Sequence, residues 1–224
     1  MDASIEMGLM IRRKVVFANG LAAGLLILAG CAGKTRYPSY YVLSTPPPVA
    51  ASMPPAPIWG TVAVREFRAP AFLTSGPIVY RPSREQVDVY NYHHWAEDPR
   101  QAVTAAVIRE LQARGMFQSV EQFDGRGSPD CLLTGTLDHL EEVDDGASVS
   151  IEIGLSARLI EVATGEVLWQ GTVSQTAKLD QRSVTGVVAE MSSDLGVAVE
   201  RLVSSMHDHV SKASSAAKRS SVAP

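Results

Sequence analysis

Residues 149–159 read VSIEIGLSARL, and this stretch decides the fold. Apolar residues occupy every odd position, and Ser, Glu, Gly and Arg occupy the even positions. An alternation of period two, kept over eleven residues, predicts a β-strand with one buried face and one hydrated face.

Two further strands are expected on either side of this segment. The strand before it covers about 131–140 and connects through Asp144-Asp145-Gly146, a sequence typical of hairpin turns. After it, Thr164-Gly165 forms a turn that leads into Val167-Leu168-Trp169. The sequence therefore predicts an antiparallel β-meander.

The amino-terminal half adds shorter strands. Residues 61–64 (TVAV) are expected to form one of them. Residues 77–80 and 87–90 are expected to pair as a hairpin around Pro82-Ser83.

Two helices complete the predicted domain. Asp98 and Pro99 mark the start of the first helix as N-cap and first helical residue, and Gly115 marks its end. Apolar residues at helical spacing from Val184 to Met206 predict a long second helix. The element order β, ββ, α, β, βββ, α predicts an α+β fold, in which a mixed β-sheet is backed by two helices on one face.

The amino terminus has the pattern of a lipoprotein signal peptide, assigned to residues 1–30. Arg12-Arg13-Lys14 is followed by the apolar run 21–29, which is too short for a permanent membrane span of about 20 residues. Leu28-Ala29-Gly30-Cys31 has the form of a bacterial lipobox, so Cys31 is the predicted lipidation site. Ala32, rather than Asp, follows the cysteine, which favours the outer membrane.

The remaining chain divides by composition. Residues 31–57 are predicted to be a lipidated, proline-rich, disordered tether with a short strand at 40–43, because 32–57 contains seven of the thirteen prolines. The folded domain is assigned to 58–207. Residues 208–224 are rich in Ser, Ala and Lys and are predicted to be a disordered tail.

Charge and cysteine content exclude several classes of protein. With 20 basic and 24 acidic residues the net charge is −4, which argues against nucleic-acid binding. Two cysteines support neither a cysteine zinc site nor a disulfide framework. Once Cys31 is acylated, Cys131 is the remaining thiol, and its apolar neighbours predict a small buried hydrophobic residue.

The titratable residues do not form a catalytic pattern. His93 and His94 are adjacent and point to opposite faces of a strand, and His207 and His209 do not face each other on a helix. We therefore expect neither a metal nor a cofactor. The acids at 141, 142, 144 and 145 are expected to form a solvated turn, and no Gly-x-Ser-x-Gly motif is present. The chain is not expected to be an enzyme.

Large aromatic residues concentrate before the first helix, at Tyr40, Tyr41, Trp59, Phe72 and Trp95. Core packing and an interaction surface both explain such residues. Tyr40, Tyr41, Phe72 and Trp95 are taken as candidate interface residues, and for Trp95 the core and interface interpretations both stay open.

Three segments, taken in order, resemble the family of ABC-type transport auxiliary lipoproteins, the PqiC-like lipoproteins. They are Tyr40-Tyr41-x-Leu43, then Ala-Pro-Ala-Phe-Leu at 69–73 with Ile-Val-Tyr-Arg at 78–81, and Tyr-His-His-Trp-Ala-Glu-Asp-Pro at 92–99. The resemblance places Arg81 near Phe72 and adds Arg81 to the candidate interface.

The resemblance implies a function that composition does not. Such lipoproteins are non-catalytic accessory components of MCE-type lipid transport systems that contain an inner-membrane ABC transporter. It implies a fold akin to the amino-terminal domain of TolB, a location at the periplasmic face of the outer membrane, an MCE-family partner and a homo-oligomer. The alternative is an assembly factor or chaperone for an outer-membrane protein; an unrecognised periplasmic hydrolase is a third possibility.

Overall fold

The computed structural model describes residues 36–48, 57–144, 146, 148–179 and 183–222, with the side chains of 214 and 216–222 excepted. The described residues from Pro38 onwards form one compact unit. The signal peptide and Cys31 lie outside the described residues. The described elements are β1 Ser39–Tyr41, β2 Trp59–Val64, a 3-10 helix Ala71–Leu73, β3 Pro77–Arg81, β4 Asp88–Trp95, α1 Pro99–Arg114, β5 Phe117–Gln122, β6 Cys131–Asp144, β7 Val149–Glu161, β8 Val167–Lys178 and α2 Val184–Val222.

The long strand β6 organises the sheet. One of its edges pairs antiparallel with β7, which in turn pairs with β8. The other edge is shared by two parallel strands, with β2 along Cys131–Leu133 and β3 along Glu142–Val143. Beyond these, β4 and β1 continue outwards from β3, and β5 continues from β2. The predicted α+β fold, a mixed sheet with two helices, is confirmed.

The deciding stretch forms β7 as predicted. Its odd-numbered residues are buried, and Ile151, Ile153, Leu155 and Leu159 have no exposed surface. On the neighbouring strand, Gly135 leaves room for the ring of Phe67, because a Cβ at this glycine would lie 2.3 Å from Phe67 Cε1. Sheet and helices share a single hydrophobic core.

The ends of α1 are also as predicted. The side chain of Asp98 accepts a hydrogen bond from the backbone N–H of Arg100 at 2.9 Å, and Pro99 is the first helical residue. The side chain of Arg100 also donates hydrogen bonds to the Asp98 carboxylate and thereby lowers the pKa of Asp98. Gly115 ends the helix at φ 64°, the left-handed conformation that glycine adopts without strain.

The second helix continues beyond its predicted end. Its apolar stripe is buried as expected, but Val210 is also buried, at 2% exposure, and the helix continues to Val222. The helix therefore covers residues that the composition assigns to a disordered tail from residue 208. Residues 211–222 contain no Gly or Pro, and their Ala, Lys and Arg are strong helix formers, so nothing in the sequence ends the helix at His207.

Residues before 58, the predicted start of the domain, also pack on the folded unit. The predicted edge strand at 40–43 is present as β1, parallel to β4. Leu43 is buried in the core at 6% exposure, and Ser44 donates its backbone N–H to Ser192 Oγ at 3.1 Å. Pro46 packs on α2 where Gly196 leaves space, since a Cβ there would lie 3.0 Å from Pro46 Cδ. Proline prevents this segment from being a central strand, but an extended segment can still pack on a folded surface.

The described residues include no helix with the length and apolar character that a membrane crossing requires.

Candidate functional site

Tyr40 and Tyr41 lie on the edge strand β1, with their side chains on opposite sides. Tyr40 is 66% exposed, and its ring centroid is 5.8 Å from that of His94. Tyr41 is partly buried, and its hydroxyl is 2.9 Å from His93 Nδ1. The edge strand therefore presents one tyrosine to solvent and turns the other towards the core.

Tyr41 begins a tyrosine row, which we define as Tyr41, His93, Tyr90 and Tyr80. Successive ring centroids are 5.6, 5.8 and 4.9 Å apart, distances at which aromatic rings attract each other. Tyr90 then donates its hydroxyl to Glu142 Oε2 at 2.7 Å. The row connects β1 to β6 across β4 and β3.

Two phenols of this row, Tyr90 and Tyr80, have raised pKa values. Burial, and then the hydrogen bond to Glu142, raise the pKa of Tyr90. The hydrogen bond to Asp88 raises the pKa of Tyr80. Both groups are therefore hydrogen-bond donors at neutral pH and do not serve as bases there.

Glu141, which directly precedes Glu142 on β6, belongs to a second group on the opposite face of the sheet. We call this group the arginine cluster and define it as Phe72, Arg81, His139 and Glu141. Arg81 Nε lies 2.6 Å from Glu141 Oε2, and His139 Nδ1 lies 2.8 Å from Oε1. The Arg81 guanidinium also lies over the ring of Phe72, 5.7 Å from its centroid. Glu141 has no exposed surface, so its carboxylate holds both partners in place.

The burial of Glu141 and Glu142 contradicts the prediction of a solvated turn. Both residues lie within β6 and are 0% and 5% exposed. A bulge at Asp138 interrupts the register with β7 just before them. Their partners, Arg81 and Tyr90, lie 60 and 52 residues away in the sequence. Local sequence therefore contained no signal for this burial.

Of the two interpretations left open for Trp95, the burial of its side chain supports the core one. Its side chain is 7% exposed and belongs to the hydrophobic core, and its backbone N–H donates to Gly76 O at 2.7 Å. Trp95 ends β4 directly before the turn into α1, where a large ring fills the space between sheet and helix. Of the remaining candidates, the structure brings Phe72 and Arg81 together and leaves Tyr40 exposed on a separate edge.

Cys131 is the small buried hydrophobic residue that its neighbours predict. It has no exposed surface, and burial together with Asp130 and Glu161 raises the pKa of its thiol to about 11. A thiol of this kind is a poor nucleophile at neutral pH. Within the described part of the chain, no three His, Cys, Asp or Glu residues are placed to hold a metal ion.

The protein is an α+β domain in which two groups of side chains, the tyrosine row and the arginine cluster, connect neighbouring strands of the sheet. The family model for the ABC-type transport auxiliary lipoprotein component matches residues 41–203. The chain therefore belongs to the family of ABC-type transport auxiliary lipoproteins, and its general role is that of an auxiliary lipoprotein component of an ABC-type transport system.

Solved structures share the fold. A Xanthomonas campestris protein of the family DUF330 superposes with a TM-score of 0.67 at 18% identity, covering 79% of this chain and 99% of its own. An uncharacterised protein gives a TM-score of 0.58 at 17% identity, covering 77% and 98%. The PelC dodecamer of Paraburkholderia phytofirmans gives 0.42 at 17% identity, covering 68% and 93%. No curated protein matches the chain by sequence.

Proposed function

We propose that this chain is acylated at Cys31, resides at the periplasmic face of the outer membrane, and is a non-catalytic docking component of an MCE-type lipid transport system. Family membership supports the auxiliary role. The lipobox at Cys31 and the Ala32 that follows it support the anchor and the choice of membrane. The partner is an MCE-family periplasmic protein.

The arginine cluster is the observation that carries the docking role. Interface hot spots are enriched in arginine and aromatic residues, and they bind best when they are rigid before the partner arrives. Arg81 and Phe72 meet this condition, because the fully buried Glu141 fixes the guanidinium above the ring. His139, with 42% of its side chain exposed, borders the same surface.

We also propose that the protein forms a homo-oligomer. Within the described residues β8 pairs only with β7, so its outer edge offers unpaired backbone groups to a second copy. Light scattering of the acylated protein in detergent measures the mass of the assembly, and a monomer at all concentrations contradicts this part of the proposal.

Co-purification from cell envelopes tests the docking role. We expect the wild-type chain to capture an MCE-family protein and Phe72→Ala to lose most of it. Arg158→Ala is the control, since Arg158 is exposed on the same face of the sheet as Glu141 but lies away from the cluster. Thermal melting verifies that Phe72→Ala is folded.

The outcomes separate the candidate functions. Capture of an outer-membrane protein and no MCE protein overturns the proposal in favour of an assembly factor. Mass spectrometry of the mature protein tests the anchor independently, and an unmodified amino terminus at a residue other than Cys31 contradicts it.

A further inference from the structure

Fewer residues separate the lipidation site from the fold than the sequence suggested. The compact unit begins at Pro38, and β1 begins one residue later. A fully extended chain spans at most about 3.3–3.6 Å per residue, so the chain from Cys31 to Pro38 reaches about 25 Å. A tether lasting to residue 57 would have reached about 90 Å by the same rule.

Several contacts hold residues 41–45 on the domain, so they do not lengthen the chain that connects Cys31 to the fold. Ala96 donates its backbone N–H to Tyr41 O at 2.7 Å. Further along, Arg109 donates to Thr45 Oγ1 at 2.8 Å, and Leu43 is buried in the core. Strand β1 is thus a fixed part of the domain. Among the described strands, it is the one that follows the anchor most closely in the sequence.

The same edge has an exposed apolar surface. Residues 40 and 42 face outwards while 41 and 43 face inwards, and Tyr40 and Val42 are 66% and 53% exposed. Tyr92 of the adjacent strand β4 is 46% exposed and lies two residues before His94, the partner of Tyr40 in the β1–β4 register. A tyrosine has an apolar ring and a polar hydroxyl, and this combination is favoured at the boundary between lipid and water.

We propose that the β1–β4 edge, formed by Tyr40, Val42 and Tyr92, contacts the headgroup region of the phospholipid leaflet that holds the acyl chains of Cys31. This inference rests on the acylation of Cys31 in the proposed function. A short tether converts a weak contact into an intramolecular one, because the effective concentration of the lipid surface reaches the millimolar range. Three partly apolar side chains that would not bind a membrane alone are therefore held against it.

Site-specific fluorescence on the full acylated chain tests this contact. The protein carries a polarity-sensitive maleimide at Tyr40→Cys or Val42→Cys and is reconstituted in vesicles of phosphatidylethanolamine and phosphatidylglycerol. Cys131 does not compete for the label, because it is fully buried and the pKa of its thiol is raised to about 11. The sulfur of Cys31 is blocked because it carries the diacylglyceryl group of the anchor.

Val167→Cys is the matched control. Val167 is 47% exposed and lies on β8, at the opposite edge of the sheet from β1. Five interstrand spacings separate the two edges through β7, β6, β3 and β4, a distance of about 24 Å.

We expect the labels at 40 and 42 to shift to shorter wavelength on vesicles and to be quenched by lipids that carry a nitroxide at the headgroup. The label at 167 is expected not to be quenched by these lipids, whether or not β8 pairs with a second copy. Equal responses at 40 and 167 in a chain that mass spectrometry shows to be acylated overturn the inference and leave the proposed function intact. An unacylated Cys31 instead refutes the proposed anchor, and the inference fails with it. A shift at 40 that follows protein concentration at constant lipid overturns it too, because the edge is then a contact between copies.

Discussion

Replacing Arg81 by methionine removes the cation that neutralises a fully buried carboxylate. Arg81 Nε and Glu141 Oε2 are 2.6 Å apart, and the side chains are 20% and 0% exposed. Two unit charges about 4 Å apart attract each other by about 4 kcal/mol at an effective dielectric constant of 20. Breaking a buried pair by removing one partner costs about 3–5 kcal/mol. Because Arg81 retains some exposure and His139 still bonds Glu141, we expect Arg81→Met to lower the free energy of unfolding by about 3 kcal/mol.

A double-mutant cycle isolates this interaction. Urea unfolding of the Cys31→Ser chain, followed by circular dichroism, is compared for Arg81→Met, Glu141→Leu and the double variant. We expect the double variant to recover part of the loss, with a coupling energy of about 2 kcal/mol.

The pair of Arg114 and Glu200 provides a control for this cycle. Its atoms are 3.6 Å apart, and the Glu200 side chain is 64% exposed, so Glu200→Ala should cost less than about 1 kcal/mol. A coupling below about 0.5 kcal/mol between Arg81 and Glu141 would refute the conclusion that this ion pair holds β3 against β6.

Three further predictions concern the core and its buried polar groups. Gly135→Ala should destabilise the domain by about 1–3 kcal/mol, because the new Cβ would lie 2.3 Å from the Phe67 ring. Adding Phe67→Leu to this variant should restore part of the lost melting temperature. Tyr90→Phe should cost about 1.5–3 kcal/mol, since Glu142 loses a donor. The pKa of Tyr90 is raised in the folded chain. Its contribution to the free energy of unfolding is therefore complete below about pH 10, the pKa of an unfolded tyrosine, and decreases as the pH rises above that value. Alkaline unfolding should show a smaller pH dependence for Tyr90→Phe than for the wild type. Burial raises the pKa of Asp194, whose Oδ2 has no hydrogen-bond partner in the described part of the chain. The contribution of Asp194 to stability should therefore fall as pH rises through the acid range. Asp194→Asn should be more stable than the wild type at neutral pH but not below about pH 4. Equal pH dependence of the melting temperatures of Asp194→Asn and wild type would contradict this assignment.

Elements whose signals are local could be predicted from the sequence. The alternation at 149–159 identified β7, and Asp98, Pro99 and Gly115 identified both ends of α1. Periodicity and capping depend on residues within one turn or one strand, so a single sequence is sufficient to detect them.

The errors occurred where distant contacts decide the structure. Residues 43–48 look like a tether until α2, about 150 residues later, provides the surface on which Pro46 packs. Glu141 looks solvated until Arg81 and the bulge at Asp138 are placed beside it. The candidates Phe72 and Arg81, the latter named through the family resemblance, lie together in the structure, but the carboxylate that orients Arg81 was not named.

Strand β6 connects all parts of the described sheet, because it pairs with β2, β3 and β7. Without it, the described strands fall into three separate pieces: β1–β4–β3, β2–β5 and β7–β8. A chain that enters the periplasm amino terminus first presents the strands of the first two pieces before Cys131, the first residue of β6. Neither piece has its full set of partners until Asp144 has crossed the membrane, so the sheet is completed late. During that interval the strand edges of the first half are open, and a holding chaperone acting on this protein would have to bind there.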